Sequence, residues 1–305
     1  MPTQRVRDAV ASAEAAGYIG EHATAPTGVP VKVIVMMGAG AYICGEETGL
    51  LSSIEGKKGH PKLKPPFPAV EGLYKCPTIV NNVETLAYLP HILAVGGEAY
   101  AAMGSPQNGG VALYCISGHV KKPGVLEVPM GTTLRSMIYD HCGGIRGDRQ
   151  LKAVVPGGSS SAVLTPDQID VKMDVESLRG LGTMLGSAGV MVMDDTTCMV
   201  RIARNTADFY AHESCGQCTP CREGCDWIAK LMRNIEAGKG KPSDLDTILS
   251  ICDNMSGKTI CVFADGAAMP LAAFVKKFRS EFLEHLEGKC CVGKFPKEPA
   301  LAGAH

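Results

Sequence analysis

From Arg5 to Ala16 an Ala-rich stretch carries apolar residues at helical spacing, and Gly17 follows as a C′ stop. After a polar loop, Val31-Lys32-Val33-Ile34-Val35-Met36-Met37 reads as a mostly buried strand. It runs into the glycine-dense turn Gly38-Ala39-Gly40-Ala41-Tyr42-Ile43-Cys44-Gly45, and a helix is expected from Glu46 to Ile54. Strand, glycine turn and helix in succession are the grammar of an α/β domain. Residues 56–78 are rich in Lys, Pro and Gly, and a loop of that length inside a compact domain is usually functional. A further helix starts near Asn82 and runs past Leu93.

The pattern changes from Gly110 onward. Ala112 to Gly118 and Gly124 to Pro129 read as two strands joined by a turn at Lys122-Pro123-Gly124. A helix over Leu134 to His141 and a strand over Leu151 to Pro156 complete a small α+β module of β-grasp type. Beyond Ala203 the periodicity is helical. Helices are expected over Ala203–His212, Arg222–Ile235, Ser243–Asn254 and Met269–Leu286, with short connectors, as in an antiparallel bundle. The fold class expected is therefore mixed α/β and α+β: a partial α/β domain (1–108), a β-grasp module (109–196), a helical bundle (197–287) and a loose tail (288–305). No internal repeat interrupts this order.

Composition narrows the chemistry. The chain has 305 residues, and its 30 Lys and Arg against 31 Asp and Glu leave a net charge of -1. With aromatics at only 5%, neither the electrostatic footprint nor the stacking surface for nucleic acid is present. The first residues, Met1 to Arg7, lack the apolar run of a signal peptide, and no stretch approaches the length of a membrane span. A reducing compartment is expected, where thirteen cysteines point to metal ligation or redox chemistry rather than disulfides. Inert core packing is the bland alternative for most of them.

Spacing separates these readings. Cys215, Cys218 and Cys221, in Glu213-Ser214-Cys215-Gly216-Gln217-Cys218-Thr219-Pro220-Cys221-Arg222-Glu223-Gly224, form C-x2-C-x2-C. One tight loop can aim three such thiolates at a single point, which suits three corners of an iron–sulfur cube. Cys225 would extend the run to C-x2-C-x2-C-x3-C, as in half of a bacterial ferredoxin, yet Asp226 follows where that pattern has Pro. Cys261 sits at a helix–helix connection, able to fold back, and is the preferred fourth ligand; Cys225 is then a helix-packing residue. A four-Cys zinc site would usually pair two separate C-x2-C knuckles, and only one end here has that form.

The other features are ambiguous taken singly. Gly38-Ala39-Gly40-Ala41 is either a phosphate or flat-cofactor cradle or a plain strand-to-helix turn, and it is not GxGxxG, because Ile43 breaks the pattern. Glu46 and Glu47 either address a ligand's hydroxyls or favour a helix dipole, and Asn81-Asn82 either cap a helix or bond a ring edge.

Taken together, the segment from Gly38 to Thr48, Lys64-Pro65-Pro66-Phe67-Pro68, Asn81-Asn82-Val83-Glu84-Thr85 and the cysteine run resemble one family. It is the NADH-binding flavoprotein subunit of respiratory complex I, with related diaphorase subunits of NAD-linked hydrogenases and formate dehydrogenases. The resemblance extends, in matching order, from the first helix to about Leu286. It implies FMN, one [4Fe–4S] cluster and oxidation of NADH, with electrons passing toward quinone. It also implies that Gly38, Gly40, Tyr42, Gly45, Glu46 and Glu47 line the flavin and nicotinamide region, with Val80, Asn81 and Asn82 along the flavin. Lys64 and Phe67 would face NADH, Phe67 stacking on adenine, and Cys215, Cys218, Cys221 and Cys261 would hold the cluster. The implied partners are a small [2Fe–2S] subunit and the other subunits of such a complex. The implied location is peripheral, on the cytoplasmic side of a bacterial inner membrane or the mitochondrial matrix side.

One departure accompanies the resemblance. Family members carry a further N-terminal half, with another glycine-rich loop holding much of the FMN and NADH. Met1 to Gly20 resembles the helix after that loop. The expectation is a fragment, a degenerate copy, or a split chain whose partner is a separately encoded N-terminal half. The alternative function is an iron–sulfur relay or scaffold without flavin.

Overall fold

The structure is a computed structural model that describes residues 2–289, and the chain divides into two compact units, residues 1–79 and 80–305. The tail expected at 288–305, with Cys290 and Cys291, lies almost wholly outside the described residues.

In the first unit, α1 (Pro2–Ala15) ends as its sequence predicts, at Gly17 with φ +75°. No side chain of α1 is buried. The strand expected over Val31–Met37 is not formed. Ile34 and Met37 are 71% and 70% exposed, and the Val31 carbonyl accepts from the Gly20 N–H at 2.9 Å in a local loop contact. A strand persists only where a neighbour takes up its N–H and C=O groups, and among the described residues of this unit none does. A single 3-10 turn, Tyr42–Gly45, then leads into α2 (Glu47–Ile54), anchored by buried Ile43 and Leu51. The Lys/Pro/Gly loop folds back on α2. Thr48 Oγ1 accepts from the Lys62 N–H at 2.8 Å, and Ser52 Oγ donates to the His60 carbonyl at 3.1 Å.

The second unit begins with α3 (Val83–Val95) and α4 (Gly97–Ala101), neither of which has a buried residue. A sheet follows, made of β1 (Val111–Gly118), β2 (Gly124–Pro129), β3 (Leu151–Val155) and β4 (Gly189–Asp194) in the order β2-β1-β4-β3. β1 runs antiparallel to β2 and parallel to β4, and β3 runs antiparallel to β4. β4 is the strand that sequence reading passed over. Alternation along β1 sets the two faces: Tyr114 and Ile116 are buried, whereas Leu113, Cys115 and Ser117 are exposed. The buried face packs on α5 (Leu134–Ser136), continued by a π-turn at Met137–His141, and on α6 (Val175–Gly180). Leu134, Met137, Ile138, Val190 and Val192 are sealed there, each contributing about 2 kcal/mol of burial.

The chain then forms a bundle: α7 (Met199–Glu213), α8 (Thr219–Glu236), α9 (Pro242–Met255), α10 (Phe263–Lys277) and α11 (Arg279–Leu286). Ile228, Met232, Leu245, Ile248, Leu271 and Phe274 fill its core. The single helix expected over Met269–Leu286 is two helices, because the chain leaves helical geometry at Phe278 (φ −118°, ψ 26°). That break turns α11 so that Phe282 and His285 are buried. The bundle is tied to the β-grasp module by Lys277, whose Nζ donates to the Val163 carbonyl and to Gln168 Oε1, both at 2.7 Å. Among the described residues no helix is long and apolar enough to cross a membrane.

Candidate functional site

The cysteine run occupies the α7–α8 connection. Ser214 caps the C-terminus of α7, Gly216 turns the chain at φ +77°, and Cys218 is the N-cap of α8. Only glycine takes that φ without cost, so Gly216 is what lets so short a loop reverse. Pro220 suits the first turn of α8, where its missing N–H has no partner to lose. Cys218 and Cys221 therefore stand at the N-terminal end of an eighteen-residue helix, where backbone N–H groups are left without helical partners. Cys261 comes from the α9–α10 connection, just before the first turn of α10. The Arg222 guanidinium closes the loop by donating to the Gly216 carbonyl at 2.8 Å.

Cys261 lies within electrostatic reach of the three loop cysteines. Cys261 feels the charges of Cys215, Cys221 and Cys218, and Cys215 feels those of Cys221 and Cys218. Burial pushes the thiols of Cys261 and Cys215 above their ordinary range, and backbone N–H groups of Phe263 and Gln217 partly oppose this by donating to them. Cys221 goes the other way. A hydrogen bond from Cys225 draws its thiol down against the cost of burial, with a lesser contribution from Ser214. The donor set is thus soft thiols with N–H groups aimed at two of the sulfurs, which fits an iron–sulfur cluster. A bare zinc ion, with Zn–S bonds of about 2.3 Å, needs its ligands much closer together. Among the described residues no three His, Cys, Asp or Glu side chains converge that tightly.

The glycine loop belongs to the first unit. A Cβ placed on Gly38, Gly40 or Gly45 meets nothing within 4 Å, and Gly40 has φ +87°. Bare backbone facing open space is what the approach of a flat ring requires, so the loop fits one face of a flavin. Glu46 lies at the start of α2. Its Oε2 accepts from the N–H groups of Thr48 and Gly49 at 2.9 and 2.8 Å and from Thr48 Oγ1 at 2.5 Å. Its other oxygen stands 3.8 Å from Lys64 Nζ, which pairs with Glu47 Oε1 at 2.5 Å. That pairing holds the Lys64 ammonium above its ordinary range. Glu46, Glu47 and Lys64 are thus brought together, while Tyr42 and Phe67 present exposed rings. A nearby cavity of about 300 Å³ is lined by Glu55, Lys62 and Lys75, which sequence reading did not single out. The Lys57 ammonium, with the Tyr74 N–H, draws the Glu55 carboxyl down to about 2.

Val80, Asn81 and Asn82 open the second unit, Val80 half-buried and both asparagines exposed. Asn82 is the N-cap of α3: its Oδ1 accepts from the N–H groups of Glu84 and Thr85 at 2.6 and 3.4 Å. Its carbonyl oxygen is committed to the helix, leaving the amide N–H₂ for any ligand. Sequence reading also missed Ser214, whose Oγ lies 3.5 Å from Cys221 Sγ.

Comparison with known proteins covers nearly the whole chain. Residues 2–91 match the family model of the Nuo51 FMN-binding domain, 112–192 that of the SLBB domain, and 201–285 that of the NADH-ubiquinone oxidoreductase-F iron-sulfur binding region. The NADH-quinone oxidoreductase F-subunit 2 of Rhizobium meliloti is 50% identical over 288 residues, covering 94% of this chain and 68% of that protein. The NADH-quinone oxidoreductase F-subunit of Streptomyces coelicolor is 49% identical over 301 residues, covering 99% and 66%. The chain thus spans about two thirds of the length of these relatives. Among solved structures, a chain of an NAD+-reducing [NiFe]-hydrogenase in the H2-reduced state superposes with a TM-score of 0.81 at 35% identity, covering 93% of this chain and 46% of that one.

Proposed function

The chain belongs to the family of NADH-quinone oxidoreductase F-subunits, and from that membership we propose that it receives electrons from NADH at FMN and passes them through a [4Fe–4S] cluster toward quinone. When bound, the flavin takes two electrons as a hydride and the cluster carries them one at a time, so no side chain need act as acid, base or nucleophile. What supports the reading is the placing of Cys215, Cys218 and Cys221 in the α7–α8 connection and of Cys261 in the α9–α10 connection, within electrostatic reach of those three.

The chain's own residues bind and orient. The four thiolates hold the cluster, and the backbone N–H groups of Gln217 and Phe263 offset their charge. Gly38, Gly40 and Gly45 leave a bare backbone for the flavin ring, and Tyr42 and Phe67 offer exposed aromatic faces, Phe67 for adenine. Glu46 fixes the start of α2, while Glu47 and Lys64 set the charge beside the nicotinamide. Val80, Asn81 and Asn82 contribute along the flavin, Asn82 through its amide N–H₂. The partners are the other subunits of the complex, among them a small [2Fe–2S] subunit. The chain is placed peripherally, on the cytoplasmic side of a bacterial inner membrane or on the matrix side.

The test is anaerobic reconstitution with iron and sulfide, followed by electron paramagnetic resonance of the dithionite-reduced protein. A [4Fe–4S] signal is expected, lost in Cys261→Ser; no signal in the wild type would refute the reading. Iron without flavin absorbance after incubation with FMN would leave only an electron relay. The likeness to the hydrogenase chain favours a second reading, a diaphorase subunit of an NAD-linked hydrogenase. Co-purification with a nickel-containing partner rather than with quinone-reducing subunits would select it.

A further inference from the structure

Away from the cysteine loop and the glycine loop, a cavity of about 410 Å³ lies between the β-grasp sheet and α7. Strand register explains its near wall. Ser117, Met191 and Val155 stand side by side on β1, β4 and β3, on the face opposite the core residues Ile116, Val190 and Val192. Ile202, Thr206 and Phe209, at helical spacing on one side of α7, form the far wall, and Phe274 of α10 joins them. The volume sits in the lower part of the roughly 300–1,000 Å³ range of small-molecule sites.

The walls restrict what can bind. Among the described residues no Lys, Arg, Asp or Glu lines the cavity, so a charged ligand would bring an unpaired charge into it. Met191, Met193, Phe209 and Phe274 present thioethers and rings, and both pack favourably on an aromatic ring.

Most polar groups of the lining are committed. Ser117 Oγ donates to the Val190 carbonyl at 3.2 Å, and Thr206 Oγ1 to the Ile202 carbonyl at 3.0 Å. Two groups remain. The exposed Asn205 carboxamide has no hydrogen-bond partner among the described residues. His119 is held through Nδ1, which stands 2.9 Å from Oδ1 and 3.2 Å from the backbone N of buried Asp194. Its Nε2 has no partner among the described residues. A carboxamide both donates and accepts, whereas a neutral imidazole nitrogen does one or the other by tautomer. A hydroxyl does both, so it suits the pair whichever tautomer is present.

We propose that this cavity binds a small, neutral hydroxy-aromatic molecule, its ring between Met191 and Phe209 and its hydroxyl at His119 and Asn205. The site goes beyond the electron-transfer reading, and neither flavin nor cluster enters it.

The probe is 2-naphthol, titrated calorimetrically into the purified full chain at neutral pH, with naphthalene and 2-naphthoate as comparators. One-to-one binding of 2-naphthol is expected. Naphthalene, lacking the hydroxyl, should bind about fivefold more weakly, and the naphthoate anion at least about tenfold more weakly. Asn205→Ala has no internal bond to lose, and it should weaken 2-naphthol about fivefold while leaving naphthalene unchanged. Thr206→Trp fills the cavity and should abolish binding. In the wild type, 2-naphthol should slow amide hydrogen exchange over residues 202–209, a result that stands even if the tryptophan variant misfolds. Absence of saturable 2-naphthol binding would overturn the proposal, as would protection confined to other segments. Equal affinity for all three compounds would mean unspecific apolar partition, and tighter binding of the anion would mean a different ligand class; either outcome defeats it.

Discussion

Replacing Glu46 with alanine separates its two roles, helix cap and ligand contact. Glu46 Oε2 accepts from two backbone N–H groups of α2 and from the Thr48 hydroxyl, whose oxygen in turn accepts from the Lys62 N–H. Thr48 is 3% exposed and Gly49 is buried, so these donors have no ready access to water once the carboxylate is gone. Loss of an N-cap costs about 1–2 kcal/mol, and an orphaned buried donor about 1–3. An eight-residue helix can fray at its first turn to hydrate them, so a total of about 2 kcal/mol is expected. The partly exposed Lys64 contact at 3.8 Å adds little. Two kcal/mol is roughly a thirtyfold rise in the opening equilibrium of α2. Amide hydrogen exchange of residues 50–54 in the full chain reads it directly. Exchange about thirtyfold faster is expected in Glu46→Ala. Glu46→Asp, still a good cap, should recover most of the protection. Unchanged exchange in the alanine variant, with weaker NADH binding, would refute the cap and leave Glu46 a pure ligand contact.

Three further outcomes are expected. His285 is buried against the Cys198 sulfur at 3.1 Å, and burial lowers its affinity for a proton although Glu281 and Glu236 pull the other way. The unfolded chain therefore takes up a proton near 6.5 that the folded chain resists. Stability is full above that pH and declines as pH falls through it. Thermal midpoints between pH 7.5 and 5.5 should fall in the wild type and flatten in His285→Gln; parallel profiles would contradict this. Lys277→Met strands the carbonyl of fully buried Val163 and should cost about 1–3 kcal/mol by denaturant unfolding. Gly118→Ala should be worse. Gly118 has φ +87°, and its Cβ would stand 2.2 Å from the Val192 carbonyl oxygen, so about 3 kcal/mol of strain and displaced β4 pairing is expected. A near-neutral urea midpoint would show that the β1–β4 approach is looser than described.

What the sequence disclosed and what it hid divide by range of interaction. Gly17 as a helix stop, Asn82 as a cap, and Gly216 with Pro220 around the cysteines all act through their own few residues, and each stands where local chemistry puts it. The same holds for β1, β2 and the helix from Leu134, whose faces are set by alternation within one segment. Failures came where the outcome lies with a distant partner. β4 (Gly189–Asp194) becomes a strand because β1 and β3 flank it on either side, a fact absent from its own six residues. Val31–Met37 is the converse: its apolar run reports a tendency to be buried, but a ladder needs a neighbour, and Ile34 stays 71% exposed without one. Glu46 shows why the site was harder to read than the fold. A carboxylate before a helix satisfies the capping rule whether or not it also meets a ligand, so one signal covers two roles. The cysteines escape that ambiguity, since no rule of local folding asks for three thiols at that spacing. Cys261 was joined to them by its position at a helix connection, and the packing of α10 against α8 is what brings it within reach of the three loop cysteines.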